Sequence, residues 1–483
     1  MTEPCDLSAL EARRRIGLKQ LSPVELMQSC IARIERINPA VNAVVTMDAG
    51  RALEAAKDAE AAVAAGRPLP PLAGLPVGVK DLDATAGMRT THGSLVFKDA
   101  VPEADDPMVA NVRRAGGIVL CKTNTPEFGA GANTVNRVFG ATGNPFNPEL
   151  TAAGSSGGSA VALATGMLPL ATGSDMGGSL RTPAAFSGVV GFRPSPGVVP
   201  DPLSTVSLSP FAVLGPMGRS VDDAYLLLQA QLDLDRRDPY SSSDAGAFPP
   251  LLPATDLSSV RAAFSTDLGC APVDAGIRQV FEGRCRLFQG AFGRADWRAP
   301  DFAGVHRAFE VLRGIGFVAA FRDLLAKRRE DLGVNVIDNT ERAMAWTLPD
   351  VSAAHIVQTE LYRRFLDFFR DVDVLICPAA AVSPFPHRDR SVAEINGEAM
   401  PTYMTWLTLV YALTMALPAV CCIPCGRDHK GMPFGIQVAG PKGSDLRVLA
   451  IAKSLEQVLA THEPTRRPLP DLDRLARQGA PAA

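Results

Sequence analysis

Two short segments rich in serine and glycine carry residue types that could do chemistry. The first, residues 151–166, is TAAGSSGGSAVALATG, and the second, residues 173–188, is GSDMGGSLRTPAAFSG. Each segment leads directly into small apolar residues that are typical of a buried helix. Backbone N–H groups of a Gly-Gly-Ser turn at the start of a helix can converge on one point, and glycines allow close approach to it. The second segment therefore predicts an oxyanion hole, with Ser179 placed to attack a carbonyl carbon.

A serine nucleophile needs a base, because its hydroxyl is weak on its own. Ser155 in the first segment could relay the proton. Lys80 lies in PVGVKDL, and a lysine among valines and glycines is a candidate base, since desolvation lowers a lysine pKa and yields a neutral amine. On these residues alone the alternative is a lysine that snorkels or pairs with Asp81 and Asp83, because a buried ammonium group is costly.

The first segment also has to be compared with other glycine-rich motifs. A flexible linker is disfavoured because the apolar run AVALATGMLPLATG follows at once. Neither nucleotide-binding spacing, G-x-x-x-x-G-K-[ST] or G-x-G-x-x-G, is present. Residues 154–158 match the G-x-S-x-G elbow of α/β-hydrolases with Ser156 at its centre. That motif needs an acid and a histidine downstream, and none of the later histidines lies in an evident catalytic turn.

The elements that must position these residues alternate between helix and strand. LSPVELMQSCIARIERIN begins with a capping signal, Ser22, Pro23 and Glu25. Helix and strand patterns continue to alternate to about residue 200, which predicts an α/β protein with a buried sheet. Residues 262–370 look mostly helical, and strand patterns return in VDVLICPA, AVCCIPC and PFGIQVAG. We therefore expect one domain, residues 1–470, with a helical insertion, and a loose tail at 471–483; a separate middle domain is the alternative.

The composition excludes several classes of protein. Of 483 residues, 47% are hydrophobic and 20% charged, which is typical of a globular chain, and the formal net charge of −3 gives no reason to expect a nucleic-acid partner. No export signal or run of 18 apolar residues is present, so we expect a cytoplasmic protein without a membrane span. The nine cysteines are expected to be reduced. CCIPC contains one CxxC pair, which favours a buried strand over a metal site.

Residues 74–194 resemble the amidase signature family. Three parts carry the resemblance: GLPVGVKD, CKTNTPEFGAGANTVNRVFGATGNPFNP, and AAGSSGGSAVALATGMLPLATGSDMGGSLRTPAAFSGVVGFRPS. The spacing agrees as well, with 75 positions from Lys80 to Ser155 and 24 from Ser155 to Ser179. The resemblance continues more weakly over most of the chain. It implies the fold of that family: α/β, with a single large mixed β-sheet flanked by helices on both faces.

The resemblance also implies roles for matching residues. Ser179 would be the acyl-forming nucleophile, Lys80 the neutral base, and Ser155, on a cis peptide bond, the relay between them. The other implied site residues are the oxyanion-hole N–H groups of Met176, Gly177, Gly178 and Ser179 and the substrate-contacting Gly129 and Ala130. Asp175 and Arg181 are expected to hold the loop by hydrogen bonds and ion pairs. Ala153 and Met176 depart from the residues common in the family, and neither belongs to the triad.

The function that follows is hydrolysis of a linear carboxylic amide through a Ser179 acyl-enzyme. The substrate would be a small-molecule amide, no metal or organic cofactor would be needed, and a homodimer stays open. Three alternatives remain: the A subunit of a glutamyl-tRNA amidotransferase, a carbamate or ester hydrolase on the same triad, and a non-catalytic binding module. For the apolar residues near 400–420, core packing is favoured over an acyl pocket: Met404, Trp406, Leu407 and Tyr411. The segment FEVLRGIGFVAAFRDLLAKRRE could cover the cleft.

Overall fold

The strands form one large sheet and three small hairpins. The computed structural model describes residues 3–241 and 248–479. The strands of this part are β1 (Val44–Met47), β2 (Pro76–Lys80), β3 (Ile118–Thr123), β4 (Val135–Asn136), β5 (Gly140–Ala141), β6 (Gly143–Asn144), β7 (Asn147–Thr151), β8 (Leu170–Asp175), β9 (Val190–Arg193), β10 (Val213–Gly218), β11 (Arg261–Phe264), β12 (Arg294–Trp297), β13 (Val374–Pro378), β14 (Glu394–Ile395), β15 (Glu398–Ala399), β16 (Ala419–Arg427) and β17 (Pro433–Gly440).

The large sheet is mixed and has eleven strands in the order β1-β3-β2-β8-β10-β9-β16-β17-β13-β11-β12. The neighbours β3, β2 and β8 run parallel, as do β13, β11 and β12. Every other neighbouring pair is antiparallel. The parallel run that contains β2 and β8 carries both Lys80 and the segment before Ser179.

Helices surround this sheet along the whole described chain. They are α1 (Ala9–Gly17), α2 (Pro23–Val41), α3 (Ala49–Ala64), α4 (Pro107–Arg114), α5 (Gly157–Ala164), α6 (Arg181–Ser187), α7 (Val221–Gln231), α8 (Ala275–Phe288), α9 (Val305–Arg328), α10 (Val334–Met344), α11 (Leu348–Phe368), α12 (Thr408–Thr414), α13 (Asp445–Thr461) and α14 (Leu472–Gly479). None of them, over the residues that the structure describes, has the length and apolarity needed to cross a membrane.

Both faces of the sheet are covered, as the resemblance implies. Successive residues of a strand point to opposite faces. On β16, Cys422 belongs to the apolar cluster formed with α5 and α6, whereas Cys421 and Ile423 belong to the larger core that includes α7 and α13. The fold class expected from the sequence is therefore confirmed. CCIPC is a buried strand, with all three cysteine side chains fully shielded from solvent.

Two expectations about organisation differ from the structure. The region 262–370 is mostly helical, but β11 and β12 also add two parallel strands to the edge of the main sheet. The expectation of a loose tail is wrong for residues 472–479, which form α14. Leu475 of this helix is fully buried against the core, and α14 packs on α2. The remaining tail residues 480–483 lie outside the described residues.

Candidate active site

The sheet places Lys80 beside the segment that leads to Ser179. Strands β2 and β8 are parallel neighbours, with Val77 opposite Leu170 and Gly78 opposite Ala171. Carboxyl ends of parallel strands meet at one edge of a sheet, where α/β proteins bind their ligands. Lys80 is the last residue of β2, and Asp175 is the last residue of β8.

Three hydroxyl groups surround the Lys80 amine. Its Nζ lies 2.6 Å from Ser155 Oγ and 2.9 Å from both Ser156 Oγ and Ser174 Oγ. The lysine side chain is fully buried, and Ser155 is 2% exposed. The structure thus brings together Lys80 and Ser155 as the sequence predicts. It also brings Ser156 and Ser174 to the same amine, which the sequence does not indicate.

Three hydroxyl partners can satisfy either protonation state of this amine. A neutral –NH2 group has two N–H donors and one lone pair, whereas an ammonium group has three donors and no acceptor. The Ser156 hydroxyl has the Ser174 carbonyl oxygen at 3.4 Å as an acceptor for its own proton, so Ser156 can accept from Lys80. With a second N–H donated to Ser174, the lone pair of Lys80 is left to accept the Ser155 proton.

The electrostatics favour the neutral form of Lys80. Burial lowers the pKa of the Lys80 ammonium well below its usual range, although Asp83 and Asp175 act in the opposite direction. Burial likewise raises the pKa of the Asp83 carboxyl, against the effect of Lys122. The Lys80 amine is therefore a base that can take a proton at moderate pH.

Asp175 anchors the loop that carries Ser179. Its carboxylate accepts hydrogen bonds from the N–H groups of Gly178 and Leu180, both at 3.1 Å, and it forms a 2.8 Å ion pair with Arg181. The Arg193 guanidinium lies 3.3 Å away. All three charged side chains are fully buried. Burial opposes ionisation of Asp175, but Arg181 and Arg193 hold its pKa well below the usual range. These contacts are the ones expected for Asp175 and Arg181.

The same loop presents free backbone donors. The N–H groups of Met176, Gly177 and Ser179 have no acceptor among the described residues, whereas that of Gly178 is used by Asp175. Three of the four expected oxyanion-hole groups are thus available to a ligand. Helix α6 begins directly after the loop, so these groups lie at the positive end of its dipole.

The two serine loops are held side by side. The Ser156 N–H donates to the Ser179 carbonyl oxygen at 3.2 Å, and the Gly154–Ser155 peptide bond is cis. Ser155 and Ser179 line one cavity. Their hydroxyls form no direct hydrogen bond in the described part of the chain.

The cavity at this edge has a volume of about 510 Å³. Gly129 and Ala130 line it, as the resemblance implies. Gly129 has a φ of +70°, and a Cβ there would lie 3.3 Å from Ser155 Oγ, so glycine leaves room for the Ser155 hydroxyl. Apolar side chains from several segments contribute to the lining. They include Leu312, Phe317 and Phe321 of helix α9, Leu203, Val206 and Phe211 of the segment 200–214, and Phe128, Met404 and Leu407.

Sequence comparison decides the family. A model of the family described as Amidase matches residues 25–449. The chain belongs to the amidase signature family. An acylamidase of Rhodococcus erythropolis is 32% identical over 457 residues, covering 94% of this chain and 95% of the relative. The A subunit of the glutamyl-tRNA(Gln) amidotransferase of Symbiobacterium thermophilum is also 32% identical, covering 95% of this chain and 98% of the relative.

Structural comparison agrees with this assignment. The crystal structure of a bacterial aryl acylamidase of the amidase signature family superimposes with a TM-score of 0.85 and 27% identity, covering 99% of each chain. The protein is thus an amidase signature hydrolase.

Within this amidase fold, the apolar residues near 400–420 divide between cavity and core. Met404 and Leu407 line the cavity. Trp406 is fully buried between the rings of Phe186 and Phe385, and Tyr411 stacks on Phe309. Helix α9, which spans most of the segment expected to cover the cleft, contributes six lining residues: Leu312, Arg313, Gly316, Phe317, Ala320 and Phe321.

Proposed function

We propose that the protein hydrolyses the C–N bond of small-molecule linear carboxylic amides, with Ser179 as nucleophile, Ser155 as proton relay and neutral Lys80 as base. The observation that carries the proposal is the fully buried Lys80 amine, 2.6 Å from the Oγ of Ser155, which lines the same cavity as Ser179. An uncharged amine in this position can draw a proton from one hydroxyl through another.

In the first half of the reaction, the substrate carbonyl oxygen lies against the free N–H groups of Met176, Gly177 and Ser179. Ser179 Oγ forms a bond to the carbonyl carbon while its proton passes to Ser155 and the Ser155 proton passes to Lys80. The three N–H groups stabilise the oxyanion that develops. The Lys80 ammonium then returns a proton through Ser155 to the departing nitrogen, the C–N bond breaks, and ammonia or an amine leaves.

In the second half, water replaces the amine. Its proton passes through Ser155 to Lys80 as its oxygen attacks the acyl-enzyme, and the proton returns to Ser179 Oγ when the acid is released. The starting protonation state is restored. Every proton and electron pair in this sequence is accounted for by the triad, the loop and water, so the proposed reaction needs no metal or organic cofactor.

Substitution of the triad tests the mechanism. Ser179→Ala and Lys80→Ala should each lower kcat/KM by about three orders of magnitude or more, and the double variant should be little worse than either, because groups that act as one unit are not additive. A panel of amides, esters and carbamates with products identified by mass spectrometry measures this. Unchanged circular dichroism controls for folding, and substantial turnover by folded Ser179→Ala would refute the nucleophile.

The glutaminase role of the A-subunit relatives is the second candidate, since such a subunit is as similar as the acylamidase. The apolar lining from α9, Met404 and Leu407 favours an amide with an apolar group over glutamine. Efficient hydrolysis of simple aryl or aliphatic amides by the chain alone would support the first proposal. Stable co-purification with partner subunits, together with glutamine-specific turnover, would support the second.

A further inference from the structure

Helix α9 presents one face to the cavity. Leu312, Gly316 and Ala320 are spaced four residues apart, and all three line the cavity together with Phe317. Residues at this spacing lie above one another on a helix. Consecutive turns of α9 therefore build one wall of the cavity.

Aromatic rings surround this face. The ring of Phe321 lies 4.8 Å from that of Phe128 and 5.6 Å from that of Phe317, measured between centroids and in tilted arrangements. All three residues line the cavity. Aromatic side chains at such distances form favourable tilted or edge contacts, and a further ring can join them in the same way.

Two glycines of α9 differ in what surrounds them. A Cβ at Gly314 would lie 2.8 Å from Ala343 Cβ, so the packing of α9 on α10 explains that glycine. A Cβ at Gly316 would meet nothing within 4 Å. Glycine in the interior of a helix lowers stability relative to alanine, and no neighbour requires it at position 316. What the missing side chain provides is space in the cavity.

The charged residues that line the cavity bear on the charge of the substrate. Asp83, Asp106 and Asp201 line the cavity. Arg313 also lines it, but its guanidinium donates to Tyr403 Oη at 2.7 Å and pairs with Asn339. These three carboxyl groups disfavour a substrate carboxylate, and the fourth in the lining, Asp175, is already paired with Arg181 and Arg193. The three phenylalanine rings favour an uncharged group beside Gly316.

We infer that Gly316 determines the size of the substrate, and that the substrate is an amide with an uncharged aromatic group seated against Gly316 and the three phenylalanine rings. This inference rests on the proposed amidase function and specifies its substrate class. A Cβ at position 316 would meet no heavy atom within 4 Å, so a side chain there extends into the space that the ring would occupy.

The experiment compares Gly316→Ala and Gly316→Leu with wild type on three probes: acetanilide, with its ring on the amine side, benzamide, with its ring on the acyl side, and acetamide, with none. The matched controls are Gly283→Ala and Gly283→Leu, because Gly283 lies within helix α8, has nothing within 4 Å of an added Cβ, and is not among the lining residues. Thermal unfolding reports whether each variant is folded.

The measured quantity is the ratio of kcat/KM for the aryl amide to that for acetamide. In Gly316→Leu this ratio should fall at least tenfold for one or both aryl amides, as expected when a pocket loses room for part of a substrate, and less in Gly316→Ala. The Gly283 variants should keep the wild-type ratio. A ratio that is unchanged in folded Gly316→Leu, or wild-type turnover of acetamide without any turnover of the aryl amides, would overturn the inference.

Failure of the proposed function gives a different result. If wild type hydrolyses none of the three amides, or if hydrolysis persists in Ser179→Ala, the amidase mechanism itself fails. Binding of acetanilide and benzamide to Ser179→Ala and to the Ser179→Ala, Gly316→Leu double variant, measured by calorimetry, then tests the pocket without turnover. Tighter binding to the single variant supports the pocket, and equal binding overturns it.

Discussion

At the residue scale, burial and the hydrogen-bond partners of the Lys80 amine govern its protonation state. The sequence context and the family resemblance predict Lys80 as the base, and its Nζ lies 2.6 Å from Ser155 Oγ. Ser174 was not identified, because only the register of β2 against β8 brings it to Lys80. Pairing register between strands far apart in the chain is a tertiary property, which a local motif does not contain.

The state of Lys80 should determine the acid limb of the pH–rate profile. Burial lowers its pKa, so the amine is neutral above that lowered value, and activity should fall as the pH drops through it. Ser174→Ala removes one of the three hydroxyl oxygens around Nζ. The ammonium form needs three acceptors and the neutral form two, so the loss disfavours the ammonium, and the acid limb should move to lower pH.

Profiles of kcat/KM against pH for wild type and Ser174→Ala measure this shift. Asp83→Asn is the control for the other group that titrates nearby, since burial raises the pKa of Asp83. An acid limb that persists in Asp83→Asn assigns the titration to Lys80. Loss of the acid limb in Asp83→Asn would contradict a lysine base. So would an acid limb that moves to higher pH in Ser174→Ala.

At the element scale, the end of β8 and the start of α6 are joined by a loop whose shape depends on one carboxylate. Asp175 receives two loop N–H groups and two buried guanidinium groups. The sequence allowed this element to be predicted, because strand, Gly-Gly-Ser turn and small-residue helix follow in order. The role of Arg193 was missed, since it reaches Asp175 from β9, eighteen positions later.

Replacement of Asp175 by Asn should therefore be severe. An amide cannot neutralise Arg181 and Arg193, and an uncompensated buried charge costs about 3–5 kcal/mol of unfolding free energy. The pKa of Asp175 lies below its usual range, so its stabilisation is present above the unfolded pKa of about 3.9 and is lost only as the pH falls further. We expect the same loss throughout pH 5–9, measured by urea unfolding.

Asp371→Asn provides a matched surface control, because that carboxylate is half exposed and pairs with Arg294 and Arg298. Exposed ion pairs contribute little, so this variant should unfold like wild type. Asp175→Asn should also lose most activity, since the Gly178 N–H loses its carboxylate acceptor. Equal stability of the two variants would show that Asp175 does not anchor the loop.

At the scale of the whole molecule, the first and the last described α-helices pack on the same core. The Leu10 N–H donates to Asp223 at 3.0 Å, which joins α1 to α7, and α14 packs on α2. The alternation of helix and strand was enough to predict one large sheet. It was not enough to place α14. The charged segment DLDRLARQ follows two prolines, in PLP, and resembles a loose terminus until its partner helix is known.

Leu475 tests whether α14 is part of the folded domain. Its side chain is fully buried, and a buried Leu→Ala change costs about 2–5 kcal/mol through lost burial and the cavity left behind. Leu469, six positions earlier, is 67% exposed, so Leu469→Ala should change the unfolding free energy by less than about 0.5 kcal/mol. No residue of α14 lines the active-site cavity, so kcat/KM should stay near wild type in both variants. Only Leu475→Ala should unfold at a lower urea concentration than wild type. If both variants unfolded at the same urea concentration as wild type, α14 would not contribute to the stability of the folded domain.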